Sequence, residues 1–182
     1  MNMDAYSRSE KESHLDTIHY EIAMLNFCGQ QLDALSPETQ KAHFNTFLEC
    51  FLIHYRNLIE FFCGDHHKWA KKPGDTSDLS TADPAAWAGR DLSAAELAEL
   101  RAPAKEINQR HFREISQYLQ HCTERRFSED KFWNYRTMYV ELRPIIEAFL
   151  KIFPARAIAK QKPTALGTGN STATVQISAW SF

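Results

Sequence analysis

The stretch Phe44-Asn-Thr-Phe-Leu-Glu-Cys-Phe-Leu-Ile-His-Tyr-Arg-Asn-Leu-Ile-Glu-Phe-Phe62 decides the fold. Turned by about 100° per residue, Phe44, Phe47, Leu48, Phe51, Leu52, Tyr55, Leu58, Ile59 and Phe62 fall on one broad stripe, which is the spacing of a helix rather than the alternation of a strand. Ile53 and Phe61 lie outside that stripe. A helix that is apolar on more than one side needs neighbours on more than one side, so this segment, 37–63, is expected at the centre of a helical protein. Ser36-Pro37-Glu38 reads as its start, with Ser36 as N-cap and Pro37 at the first helical position, where a missing N–H costs nothing.

The same period extends to both sides. Ile18, Ile22, Leu25, Cys28, Leu32 and Leu35 recur at three and four and predict a first helix over about 12–35. Ser93-Ala-Ala-Glu96 is a capping box that opens a third helix, about 93–124, in which Pro103 is expected to cause a break or kink. After the polar turn Ser128-Glu-Asp, a fourth helix carries Phe132, Tyr135, Met138, Tyr139, Leu142, Ile145, Ile146, Phe149, Leu150 and Phe153 on one face. Pro144 should bend it and Pro154 end it. The expectation is an all-α, single-domain, up-down helical bundle of about four long helices spanning 1–154. The long connection 64–92 is rich in turn residues, and a lid over the bundle would give its Trp69 and Trp87 a place to pack. The tail 155–182 is expected to be flexible and largely disordered. Within it Thr174-Val-Gln-Ile-Ser alternates like a strand, and Trp180 and Phe182 are available for docking.

Composition narrows the function classes. A chain of 182 residues, 43% hydrophobic and 24% charged, with a formal charge of −2, has no basic field to draw in nucleic acid. No run approaches the roughly 20 apolar residues of a membrane helix, and the start MNMDAYSRSEKES lacks the apolar core of a signal peptide, so a cytoplasmic protein with no membrane partner is expected. Cys28, Cys50, Cys63 and Cys122 form no CxxC pair and read as reduced thiols. Without a Gly-rich phosphate loop, GxSxG or HExxH, no cofactor is expected.

Several polar residues occupy positions that require an explanation. Glu49, Arg56 and Glu60 share one narrow sector of the second helix, as a salt-bridge ladder or as an arginine that faces an anion. His54 lies on the opposite edge of the apolar stripe and should not meet Arg56. Asn108 and His111 sit inside the stripe of the third helix and need hydrogen-bond partners, for which side chains of the second helix are the expected source. His121 and Arg125 are four apart at its far end, where Arg125 also suits the helix dipole. Cys63, His66 and His67 form the one tract that resembles a metal site, although a closed site needs four ligands and no second pair is present.

The segments Phe47-Leu-Glu-Cys-Phe-Leu-Ile-His-Tyr-Arg-Asn-Leu-Ile-Glu-Phe-Phe62 and Ile115-Ser-Gln-Tyr-Leu-Gln-His-Cys-Thr-Glu-Arg125 together resemble a bacterial all-helical family with a HEPN-like layout of long antiparallel helices. The resemblance implies a homodimer and, for active HEPN proteins, metal-independent ribonuclease chemistry from an Arg followed four to six residues later by a His. This chain departs from that pattern: Arg56 has no such His, Arg113 to His121 is too long, and only Arg8 to His14 fits. Eleven arginines and eight histidines give such a spacing by chance about once or twice, so no catalytic residue carries over. A composite site remains, with His121 moving protons while Arg56 and Arg125 hold a phosphodiester. Two functions are therefore expected to compete. One is a homo-oligomeric binding or assembly protein using His54, Arg56, Asn108, His111, His121 and Arg125, with a protein partner. The other is a HEPN-type ribonuclease or RNA-binding protein of a defence or toxin system.

Overall fold

The computed structural model describes residues 8–64, 92–120 and 132–154, with side chains described from Leu15 onward and, in the third helix, as far as Leu119. Through these residues run four helices and no strand: α1 (Arg8–Ala34), α2 (Lys41–Cys63), α3 (Ala94–Gln120) and α4 (Tyr135–Ile152). Asp65 to Asp91, with Trp69 and Trp87, lie outside the described residues, as do 121–131 and the tail 155–182 with Trp180 and Phe182.

Local chemistry sets three of the helix ends. Ser93 and Glu96 form the expected box, the Glu96 amide donating to Ser93 Oγ at 3.2 Å and the Ser93 amide to Glu96 Oε2 at 2.8 Å. Asn134 caps α4 by accepting from the Thr137 amide at 3.2 Å. Gly64 closes α2 in the left-handed region, with φ 68°, where a side chain would be strained.

The start of α2 differs from the sequence expectation. Ser36 caps a separate turn, accepting from the Thr39 amide at 3.3 Å, and Pro37 lies in that turn rather than in the helix. Gln40 then departs from helical geometry with φ −125° and ψ 35°, so α2 begins at Lys41 instead of residue 37. Pro103 does not break α3, nor does Pro144 interrupt α4. Pro144 and Val140 are both exposed, so the Val140 carbonyl deprived of its helical donor faces water, and the ring's fixed φ already suits a helix.

Contacts along the helices establish an up-down-up-down course. Moving up α1, Glu21 meets His54 and Phe27 meets Phe47, so α1 and α2 are antiparallel. Cys63 meets Asn108 while Tyr55 meets His111, which makes α3 antiparallel to α2. Asp33 meets Arg136 and His19 meets Phe153, so α4 returns antiparallel to α1. On the inside of the bundle, α2 and α4 run parallel, with Phe51 against Tyr135 at one end and Phe62 against Phe149 at the other.

One continuous core joins all four helices. Phe51, Leu52, Tyr55, Leu58, Ile59 and Phe62 of α2 are within 1% of full burial, which confirms this helix as central. Phe61 joins them by packing edge-on against Phe149 at 5.7 Å, whereas Ile53 is 46% exposed and does not extend the core to a further side. Each such large side chain contributes about 1.5–3 kcal/mol by leaving water.

Candidate functional site

The residues singled out from the sequence separate onto two sides of α2. His54 faces α1, where its Nδ1 lies 2.7 Å from Glu21 Oε2, and Asn57 Nδ2 donates to the same oxygen at 3.1 Å. The Tyr20 ring closes over His54 edge-on at 6.0 Å. Burial pushes the Glu21 carboxyl up, but the bonds from His54 and Asn57 and the nearby His54 charge outweigh it and hold the group below its ordinary value. Glu21 was not legible as a site residue: it is a single acid at the edge of the first apolar stripe, and its partners lie more than 30 positions away.

Arg56 points the other way, toward α3. Its Nη2 donates to Glu60 Oε1 at 3.1 Å, and its guanidinium lies 5.1 Å from the centroid of the Phe112 ring. The expected separation of His54 from Arg56 is therefore present, and the pairing of Arg56 with Glu60 is the helical i,i+4 contact the spacing allowed.

The half-buried polar pair on α3 bonds to two different helices, although Asn108 Oδ1 has no partner among the described residues. His111 Nε2 lies 3.2 Å from Glu141 Oε2 of α4, and Arg110 Nη1 donates to the other oxygen of that carboxylate at 2.7 Å. Asn108 Nδ2 donates to Cys63 Sγ of α2 at 3.7 Å, while Arg101 Nε donates to the Cys63 carbonyl at 3.3 Å. Tyr55 sits edge-on to His111 at 6.1 Å, and its buried hydroxyl has no hydrogen-bond partner among the described residues. Burial pushes that phenol up, and the Glu141 charge adds to the effect.

No group of three His, Cys, Asp or Glu that could hold a metal occurs among the described residues. His66 and His67 lie outside them, as do His121 and Arg125. Gln120 ends α3 eight residues beyond Phe112, about 12 Å further along the axis from the level that Arg56 covers.

The outer face of α1 and α2 is different in kind. Tyr20, Phe27 and Ile53 are 49%, 38% and 46% exposed, and half-buried Met24, Phe47 and Cys50 lie between them. Stepping these positions by about 100° puts Tyr20, Phe27 and Ile53 on the side of the helix pair away from the core, whereas Phe47 and Cys50 pack against it. No Lys or Arg occurs between Lys11 and Lys41, while α2 places Glu49, Arg56 and Glu60 together in the sector beside Ile53, Arg56 paired with Glu60. The face is apolar at its centre, and its α1 side carries no basic residue between Lys11 and Lys41.

Fold and site together define an up-down four-helix bundle whose buried polar side chains pair helix to helix, with one apolar outer face. No family model, curated protein or solved structure matches the chain. No helix among the described residues is long and apolar enough to cross a membrane.

Proposed function

We propose that this bundle is a binding and assembly protein whose outer α1–α2 face receives an amphipathic helix with basic flanks from a protein partner. The observation that carries the reading is the grouping of Tyr20, Phe27 and Ile53, three of the five exposed large hydrophobics among the described residues, on one side of the molecule. Scattered single apolar residues are ordinary on a surface, whereas a contiguous set rimmed by polar groups is what an interaction site uses. Two antiparallel helices offer a groove that suits a third helix, with anchors spaced at three and four. The α1 side of the face, with no Lys or Arg between Lys11 and Lys41, favours a basic partner and disfavours a phosphodiester backbone.

The polar residues support the same reading. His54, Arg56, Asn108 and His111 each bond to a residue of the bundle itself, so each has a structural occupation. The ribonuclease reading requires Arg56 to leave Glu60 and Phe112 and meet His121 and Arg125, and it rests on the HEPN-like resemblance alone. The homodimer expected from the sequence is the competing occupant of the apolar face. It would set the α1 side of one copy, with no Lys or Arg between Lys11 and Lys41, against the same side of another.

A fluorescent Leu/Lys amphipathic helical peptide, titrated against the chain and against Ile53→Glu and Phe27→Glu, tests the proposal. Saturable one-to-one binding that weakens with salt and is lost in both folded variants supports it. Concentration-dependent self-association that both variants abolish would replace the partner helix by a second copy. Cleavage of an RNA pool in EDTA, lost in folded Arg56→Ala and His121→Ala, would establish the ribonuclease instead.

A further inference from the structure

The described part of the chain ends beside the apolar outer face. Phe153 is buried against Phe149, with ring centroids 5.3 Å apart, and its carbonyl lies 3.0 Å from His19 Nε2 of α1. Pro154, the next residue, is exposed. His19 adjoins Tyr20, the first exposed ring of the face, and Phe27 lies about 12 Å further along the axis of α1 than His19. Asp16, Tyr20, Met24 and Phe27 follow one another at helical spacings of four, four and three, so they form one strip along α1. Residues 155–182 therefore start near the N-terminal end of that strip. The five residues from Phe153 to Ile158 span up to about 17 Å when extended, enough to bring Ile158 to the level of Phe27.

We propose that residues 155–162 of this chain dock in cis on the outer α1–α2 face, beside Tyr20 and Phe27, and cover it until a partner helix displaces them. The segment Ala155-Arg-Ala-Ile-Ala-Lys-Gln-Lys162 places Arg156, Lys160 and Lys162 around the apolar Ile158, and no Asp or Glu occurs from Ala155 to Phe182. The surface it starts from has the opposite sign. Residues 12–40 hold five acids, exposed Asp16 among them, and no Lys or Arg. Opposite potentials favour the contact and select the segment that makes it. The two connections that also lie outside the described residues, 65–91 and 121–131, both mix acids with their basic residues, so the acid-free tail is the occupant that the charges choose.

Attachment makes the contact intramolecular. A short tether gives an effective concentration in the millimolar range, so even a contact with an intrinsic Kd of about 1 mM is made in about half of the molecules or more. The inference rests on the reading of this face as an interaction surface and adds how that surface is regulated. A partner has to compete with the tail, and its apparent affinity falls in proportion to the fraction of chains whose face is uncovered.

Photo-crosslinking of the full chain tests it. Protein carrying Phe27→benzoylphenylalanine, prepared as a mixture of light and heavy-isotope-labelled chains, is irradiated and mapped after trypsin, which yields tail peptides 157–160 and 161–182. The expected result is a link from position 27 to one of those peptides within chains of one isotope only, lost when Arg156→Glu, Lys160→Glu and Lys162→Glu are added. Without the crosslinker, the fluorescent Leu/Lys peptide should bind the charge-reversed chain at least about threefold more tightly than wild type. If the position 27 variant does not melt cooperatively, Ile53→benzoylphenylalanine, at a side chain 46% exposed on the same face, takes its place. Peptide binding of equal strength to both chains, with no tail link, would overturn the tail contact and leave the face reading standing. Peptide binding to neither chain, with no tail link, would sink the face reading and the tail contact with it. A link between light and heavy chains would assign the contact to a second copy and overturn docking in cis.

Discussion

Removing the Glu21 carboxylate should cost this bundle more than removing any other single charge on its described surface. Glu21 accepts from His54 and from Asn57 through one oxygen, and the side chains of Glu21 and His54 are only 15% and 10% exposed. A hydrogen bond to a charged group contributes about 1.5–3 kcal/mol, and stripping one partner from a fully buried pair costs about 3–5 kcal/mol. Partial access to water lowers that ceiling, so Glu21→Ala should lose about 2–3 kcal/mol, whereas Glu21→Gln, which keeps an acceptor oxygen, should lose about 1 kcal/mol. The pH dependence has a definite sign. Glu21 is held below its ordinary value of 4.5 in the folded protein, so its stabilisation is complete above that value and is lost as pH falls through the lower folded value. Urea unfolding of wild type and both variants, followed by far-UV circular dichroism from about pH 7 down to about pH 3, measures both effects. The gap between wild type and Glu21→Gln should narrow below pH 4.5. A loss under about 0.5 kcal/mol for Glu21→Ala, or a gap that stays constant through the acid range, would refute the argument.

Three further substitutions examine other parts of the structure. Tyr55→Phe removes a buried hydroxyl that has no partner among the described residues, so stability should hold or rise by up to about 1 kcal/mol; a loss above about 1 kcal/mol would mean the hydroxyl is bonded. Gly64→Ala should destabilise by about 1–2 kcal/mol, because φ is 68° and a Cβ there would come within 2.8 Å of Arg101 Nε. Adding Arg101→Ala should recover the steric part of that loss in a double-mutant cycle and leave the backbone part. Asn134→Ala should cost about 1 kcal/mol in thermal or urea unfolding by leaving the Thr137 amide without its cap.

The accuracy of the sequence reading followed the distance between interacting residues along the chain. The Ser93–Glu96 box and the Arg56–Glu60 pair were readable because three or four residues along a helix are spatial neighbours whatever else the chain does. The start of α2 was misplaced because a Ser-Pro pair suits an isolated turn as well as a helix N-terminus, and the Gln40 backbone decides between them. Ile53, outside the apolar stripe, suggests a second covered side of α2 yet is 46% exposed, because a surface also holds apolar atoms. Asn108 and His111 were correctly read as needing partners, yet one found a thiol on α2 and the other a carboxylate on α4.

The sequence by itself determined that this chain makes long helices, where their apolar stripes lie and which of them is central. Those properties follow from a period of 3.6 residues and from caps that act over a single turn. Only the tertiary structure decided that Glu21 meets His54, that Glu141 bridges Arg110 and His111, and that Asn108 meets Cys63. Each of these pairs joins two helices. Which side chains face one another there depends on the rotation and axial register of the helices, and that register is set by how the whole core packs, a quantity that no local stretch of sequence contains.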